Sequence, residues 1–131
     1  MAKVVLSVNL SEQTVISTPY GRWQQLNGAL NVTAFGINSV ICEPGEDIGI
    51  DHDESETGQQ EAYIVVTGRA AFTVGDERIE AGPGTVVAAP DPAVTRGFEA
   101  LEPNTRIVCV GAAPAAESQP FGEWIAEAAS A

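Results

Sequence analysis

The chain has 131 residues and a mass of 13.6 kDa, a length that suits one domain. It is 44% hydrophobic and only 18% charged, the composition of a globular chain that can bury a core without staples, not of a disordered one. Its 18 acidic residues face 6 basic ones, a net charge of −12, and a surface so acidic repels phosphate backbones and anionic membranes, which argues against nucleic acid and membrane as partners.

Met1-Ala2-Lys3 leads into Val4–Val8, an apolar run too short for the core of a signal peptide, and no stretch approaches the length of a membrane span. The expected location is the cytoplasm. Val4–Val8 itself has the β-branched composition of a strand. Arg22-Trp23 offers a cation beside an aromatic ring, although packing of the tryptophan is the commoner use of such a pair. Leu30–Phe35 and Ser39–Cys42 read as the next strands, followed by Ala62–Thr67, Ala71–Val74, Gly84–Ala89 and Thr105–Val110. Asn31-Val32-Thr33 fits a glycosylation pattern, which would need secretion.

Turn residues separate most of these runs: Glu43-Pro44-Gly45, Gly68, Gly75-Asp76-Glu77, Gly82-Pro83-Gly84, Pro90-Asp91-Pro92 and Glu102-Pro103-Asn104. Many short strands with turns at this spacing predict an all-β sandwich or barrel. Val74 to Ile79 reads as a hairpin, since Gly75 can take the positive φ that tight hairpin turns require. After the linker-like 112–116, Phe121–Ala129 predicts a short helix that carries Phe121 and Trp124 on one face. It would either dock on the barrel or a second subunit, or fray as a tail. Cys42 and Cys109 lie inside strand-like runs with no CxxC spacing and are expected to be reduced core thiols.

The acidic residues cluster. Between Glu43 and Glu61 stand Glu43, Glu46, Asp47, Asp51, Asp53, Glu54, Glu56 and Glu61, with no lysine or arginine and with the one histidine of the chain, His52. Carboxylates around an imidazole suit a divalent cation, and equally a solvated acidic loop or a contact for a basic partner. Asp51 to Glu56 begins like an EF-hand calcium loop, but the sixth and twelfth places hold Glu56 and Ala62 where glycine and glutamate are needed. Gly82-Pro83-Gly84 lacks the lysine and following helix of a phosphate loop. Strand alternation gives Glu61 the parity of Tyr63 and Val65, so if these face the interior Glu61 faces it too, near the mouth.

Glu61-Ala-Tyr-Ile-Val-Val-Thr-Gly68 resembles the end of the first cupin motif, whose glutamate-to-glycine spacing it keeps. Gly84 and Pro90 match anchors of the second motif, while Pro92, Thr95 and Glu99 stand at its later glycine, histidine and asparagine. The resemblance covers roughly residues 36–111. It implies a single cupin-like double-stranded β-helix, or jelly-roll barrel, with residues 1–35 as N-terminal strands or dimer arm, 36–111 as barrel core and 112–131 as linker and C-terminal helix. It implies a homodimer, which exposed sheet edges would also favour.

Counted back from Glu61 without gaps, the two histidine places of the first motif fall on Ser55 and Thr57, or on Glu54 and Glu56. With a longer loop they fall on His52 and Glu54, and the metal ligands that the resemblance then implies are His52, Glu54 and Glu61, for iron, manganese, nickel or zinc, with Thr95 in the place of the last histidine. With no metal, Glu61 needs hydrogen-bond donors, and Tyr63, Thr95, Gln59 and His52 are the candidates. On that reading Gln59, Glu61, Tyr63 and Thr95 line a small-ligand site in the barrel, in a protein that need not be an enzyme. The alternatives are a metal-dependent oxygenase or isomerase and an interaction protein that uses its acidic loop.

Overall fold

The computed structural model describes residues 4–114 and 124–129. A 3-10 turn at Leu10–Glu12 precedes β1 (Ile16–Thr18), β2 (Gly21–Gln25), a one-turn helix α1 (Asn27–Leu30) and β3 (Gly36–Cys42). Then come β4 (Asp47–His52), β5 (Gln60–Thr67), β6 (Ala70–Val74), β7 (Glu77–Ala81), β8 (Val86–Ala89), β9 (Arg96–Ala100) and β10 (Thr105–Ala112), with α2 (Trp124–Ala129) last. Two antiparallel sheets form, a six-stranded one in the order β1-β2-β3-β10-β5-β8 and a four-stranded one in the order β4-β9-β6-β7. Neither sheet closes on itself. Together they make the all-β jelly-roll barrel that the strand pattern predicts.

The core lies between the sheets. Val40, Cys42, Tyr63, Val65, Ile107 and Cys109 point in from the large sheet, and Ile48, Ala70, Phe72, Phe98 and Ala100 from the small one. Alternation does the sorting: Tyr63 and Val65 are buried while Ile64 and Val66 are exposed on the outer face. Tyr63, Phe72 and Phe98 form an aromatic triad with ring centroids 5.2–5.6 Å apart, within the range in which tilted and edge-on pairs attract. Cys42 and Cys109 are buried free thiols, and burial pushes each up to about 12.

Two glycines shape the turns. Val74 pairs with Glu77 across the two-residue loop Gly75-Asp76, and Gly75 has φ 60°, the signature of a type II′ hairpin. Gly68, between β5 and β6, has φ 80°, and a Cβ there would collide with Thr105. The buried Thr105 hydroxyl donates to the carbonyl of Arg69 or Glu102 and accepts from the Arg69 N–H, so the turn is packed against its neighbour.

Two expected strands are absent. Val4–Val8 pairs with no strand, and Val4, Val5 and Leu6 are exposed; strand composition alone does not make a strand without pairing and burial. The N-terminal segment is instead tied down further on, where the buried Gln24 amide donates to the carbonyls of Leu10 and Gln13. Leu30–Phe35 is the exit from α1: Asn31 takes a left-handed cap with φ 53°. The Asn27 side chain then donates to the carbonyls of Val32 and Phe35 and accepts from the N–H of Ile37, so β3 starts only at Gly36. Conversely, β1, β2 and β9 carry too many polar residues to stand out as apolar runs. In α2, Ile125–Ala129 are exposed; Phe121 and the side chain of Trp124, and with them any docking of that helix face, lie outside the described residues. No helix among the described residues is long and apolar enough to cross a membrane.

Candidate functional site

Glu61 sits at the start of β5 with its side chain turned inward and 16% exposed. Its Oε1 accepts a hydrogen bond from the Tyr63 hydroxyl at 3.0 Å and one from Arg96 Nη1 at 2.8 Å. Arg96 opens β9 and is the largest fully buried side chain of the core. Its Nε donates to the Val94 carbonyl at 2.8 Å and its Nη2 to the Asp91 carbonyl at 2.6 Å. The guanidinium is thus held on three sides, by two backbone carbonyls and one carboxylate, the pairing that a buried cation requires. Burial, with the Glu61 carboxylate adding to it, pushes the Tyr63 phenol far above its ordinary range, so Tyr63 stays a hydrogen-bond donor.

His52 reaches the same point from β4. The β4–β9 register runs Ile48 opposite Phe98 and then His52 opposite Arg96, which leaves extra residues on β4 between the two pairs. Such irregularities at a barrel rim re-aim side chains, and here the shift sets His52 across from Arg96. His52 Nε2 lies 3.3 Å from Glu54 Oε1 and 3.9 Å from Glu61 Oε1. Glu54 is fixed in turn: its N–H donates to the Pro92 carbonyl at 2.8 Å, and its Oε2 accepts from the Thr57 hydroxyl at 2.7 Å. Next to it, the N–H of Ser55 donates to Asp53 and holds that exposed carboxyl below its usual range.

A cavity of about 740 Å³ opens at this end of the barrel, between the two sheets. His52, Glu61, Tyr63 and Asn38 supply polar groups to its wall, and Trp23, Ile48, Phe98 and Cys109 an apolar body. The Trp23 indole N–H donates to the Tyr20 carbonyl at 2.9 Å, which fixes the ring at the rim. Among the described residues no lysine or arginine lines the cavity.

The structure therefore brings His52, Glu54, Glu61 and Tyr63 together, and leaves two expected residues out. Thr95 is exposed and does not line the cavity; its carbonyl accepts from the Gly75 N–H at 2.8 Å, on the hairpin side. Gln59 packs its amide oxygen against Gly111, away from the cavity wall. Arg96 is the residue that spacing missed. A turn closed by the Val94 N–H on the Asp91 carbonyl precedes β9, which starts at Arg96, and the inward position falls on Arg96 and not on Thr95. Its shared parity with the buried Phe98 and Ala100 is the signal that could have found it.

His52, Glu54 and Glu61 offer ligand atoms within 4.8 Å of one another, close enough for one cation. Arg96 makes the set a poor one. The Glu61 oxygen nearest His52 already accepts two hydrogen bonds, one of them from a fixed cation 2.8 Å away. For a doubly charged ion about 5 Å from a guanidinium, at an effective dielectric constant of about 20, the repulsion is on the order of 6 kcal/mol. One imidazole and two carboxylates, one of them committed, offset that weakly for iron, nickel or zinc.

No family model matches the sequence. An uncharacterized protein of Streptomyces coelicolor is 35% identical over 68 residues, 52% of this chain and 64% of that protein's own length. A cupin protein from Bacteroides fragilis superposes with a TM-score of 0.68 at 15% identity, over 92% of this chain and 93% of that one. A sugar phosphate isomerase from a cupin superfamily, from Silicibacter pomeroyi, gives a TM-score of 0.63 at 18% identity, over 82% of this chain and 76% of that one.

Proposed function

The chain has the cupin fold, and from that premise we propose that it binds a small molecule in the mouth cavity, oriented by Glu61 and Tyr63 and not through a metal. The observation that carries this reading is a carboxylate braced by a buried arginine and a tyrosine at the wall of a cavity of about 740 Å³. A few convergent polar groups on an apolar wall are the usual make-up of a small-ligand site. The bracing fixes the carboxylate before any ligand arrives, which reduces the ordering cost of binding.

The wall also limits the ligand's chemistry. Glu61 accepts hydrogen bonds and cannot donate them as a carboxylate, and Arg96 has each of its three nitrogens engaged by protein oxygens. With no lysine or arginine among the described residues of the wall, the cavity favours a ligand that presents an amine, amide or hydroxyl donor to Glu61 and an apolar body to Trp23, Ile48 and Phe98. A phosphorylated sugar, the class named for the Silicibacter neighbour, finds no lysine or arginine among the described residues of the wall.

Titrations of benzylamine, benzyl alcohol and benzoate into the wild type and Glu61→Gln test this, followed by backbone amide shifts at Gly97 and Cys109. The amine and the alcohol are expected to bind more tightly than benzoate, and Glu61→Gln to weaken the amine about tenfold, which is about 1.4 kcal/mol. Preferred binding of benzoate, or equal affinity in Glu61→Gln, overturns the reading.

A divalent-metal enzyme built on His52, Glu54 and Glu61 is the second reading, and the 4.8 Å clustering of their ligand atoms supports it. Elemental analysis of protein purified without a metal-binding tag, beside His52→Ala, decides between them. Near-stoichiometric metal that is lost on substitution overturns the first reading and supports the second; its absence from both proteins supports the first.

A further inference from the structure

We infer that Arg96 is a built-in counter-ion standing where a metal would otherwise balance Glu61, and that its removal unmasks a divalent-metal site on His52, Glu54 and Glu61. The inference does not depend on which small molecule the cavity binds.

Three observations carry it. The first is the convergence of ligand atoms: His52 Nε2, a Glu54 oxygen and a Glu61 oxygen lie within 4.8 Å of one another, although they come from β4, the following loop and β5. Separate elements have brought a donor set together at one point, and the register shift in β4 places its imidazole. The second is the completeness of the arginine's environment. Its side chain has no solvent exposure, and Nε, Nη1 and Nη2 donate to Val94, Glu61 and Asp91 over 2.6–2.8 Å. A solvent-facing arginine could swing away and admit a cation. This one is anchored by two backbone carbonyls of its own loop and cannot leave without breaking that loop's hydrogen bonds.

The third is the strand register, which pairs Arg96 directly with His52 across β4 and β9. The position that carries the fixed cation therefore borders both the imidazole and the carboxylate of the donor set. A neutral ligating side chain there would complete the set, whereas a guanidinium opposes it. Arg96 is thus a positioning residue: it holds the Glu61 carboxylate toward the cavity and reserves it for an organic ligand's donor group.

Cobalt(II) titration of the wild type, Arg96→His and the double variant Arg96→His/His52→Ala tests the inference, read by visible d–d absorption and by melting temperature with and without the ion. The wild type is expected to show no His52-dependent bands. Arg96→His is expected to bind at least tenfold more tightly, with bands that disappear in the double variant and a melting temperature raised by cobalt. If Arg96→His is unfolded alone, folding restored by cobalt supports the inference, and a chain unfolded with and without the ion overturns it. His52-dependent bands in the wild type, or a folded Arg96→His that binds no better than wild type, also overturn it.

Discussion

Replacing Glu61 by alanine removes the carboxylate that faces the fully buried Arg96 side chain. The guanidinium keeps its bonds to the Val94 and Asp91 carbonyls but loses its one charged partner. Breaking a buried pair from one side costs about 3–5 kcal/mol, because the remaining charge stays out of water. Glu61 is 16% exposed, so water can partly reach the vacated space, which places the expected loss near 3 kcal/mol, the lower end of that range. Glu61→Gln keeps an acceptor for Arg96 and Tyr63 and gives up only the charge-assisted part, about 1–2 kcal/mol. The double variant Glu61→Leu/Arg96→Met removes both charges and should be more stable than Glu61→Ala, since an apolar replacement of a buried pair is often neutral. Urea unfolding at constant m-value gives these differences, and each kcal/mol should also move the melting temperature by roughly 4 °C for a chain of this length. A loss below about 1 kcal/mol for Glu61→Ala would refute the reasoning, because it would mean that the Arg96 charge is not confined as the hydrogen bonds imply.

Three further outcomes follow from the same geometry. Gly68→Ala should destabilise by about 1–3 kcal/mol in urea unfolding, because its positive φ and the collision with Thr105 both oppose a Cβ, and should cost more than Gly45→Ala, which shares a positive φ but meets no atom within 4 Å. Stability should fall as pH rises above 9: Cys42 and Cys109 are held up to about 12 in the fold, so the unfolded chain releases their protons first and gains on the native state until about pH 12. A urea midpoint that is flat from pH 8 to 11, or rapid alkylation of either native thiol at pH 8, would contradict that burial. Thr95→Val and Gln59→Ala should leave benzylamine binding within a factor of two of wild type, since neither side chain lines the cavity; a tenfold loss in either would restore them to the site.

Much of the barrel was legible because its inner strands obey a simple rule. β5, β6, β8 and β10 are β-branched or aromatic runs bounded by glycine or proline, and alternation puts Glu61 on the same face as Tyr63 and Val65, which the structure buries. The glycine that ends the first motif has a physical cause in the packed turn at Gly68. The N-terminal region follows a different rule. Val4–Val8 has strand composition but pairs with no strand, whereas β2 (Gly21–Gln25) has little strand composition but pairs with β3 from Arg22 to Gln25. Tertiary pairing decides both cases, and local propensity contains no record of it.

The site was half legible. His52, Glu54 and Glu61 lie together as the resemblance implies once the loop before Glu61 is longer than the motif's, whereas counting along the second motif lands on Thr95, one residue short of the inward Arg96. One residue of slip in a strand exchanges the two faces. That single step separates a neutral hydroxyl from a buried cation, and with it the electrostatic character of the site.

Intermolecular NOEs from bound benzylamine test the central claim most directly. The account predicts contacts from the ligand's ring protons to the aromatic protons of Phe98 and Trp23, and from its methylene to Tyr63, all strongly weakened in Glu61→Gln at a ligand concentration near the wild-type Kd. Saturable binding whose NOEs fall instead on Ile64, Val66 and Val86, on the outer face of the large sheet, would contradict it.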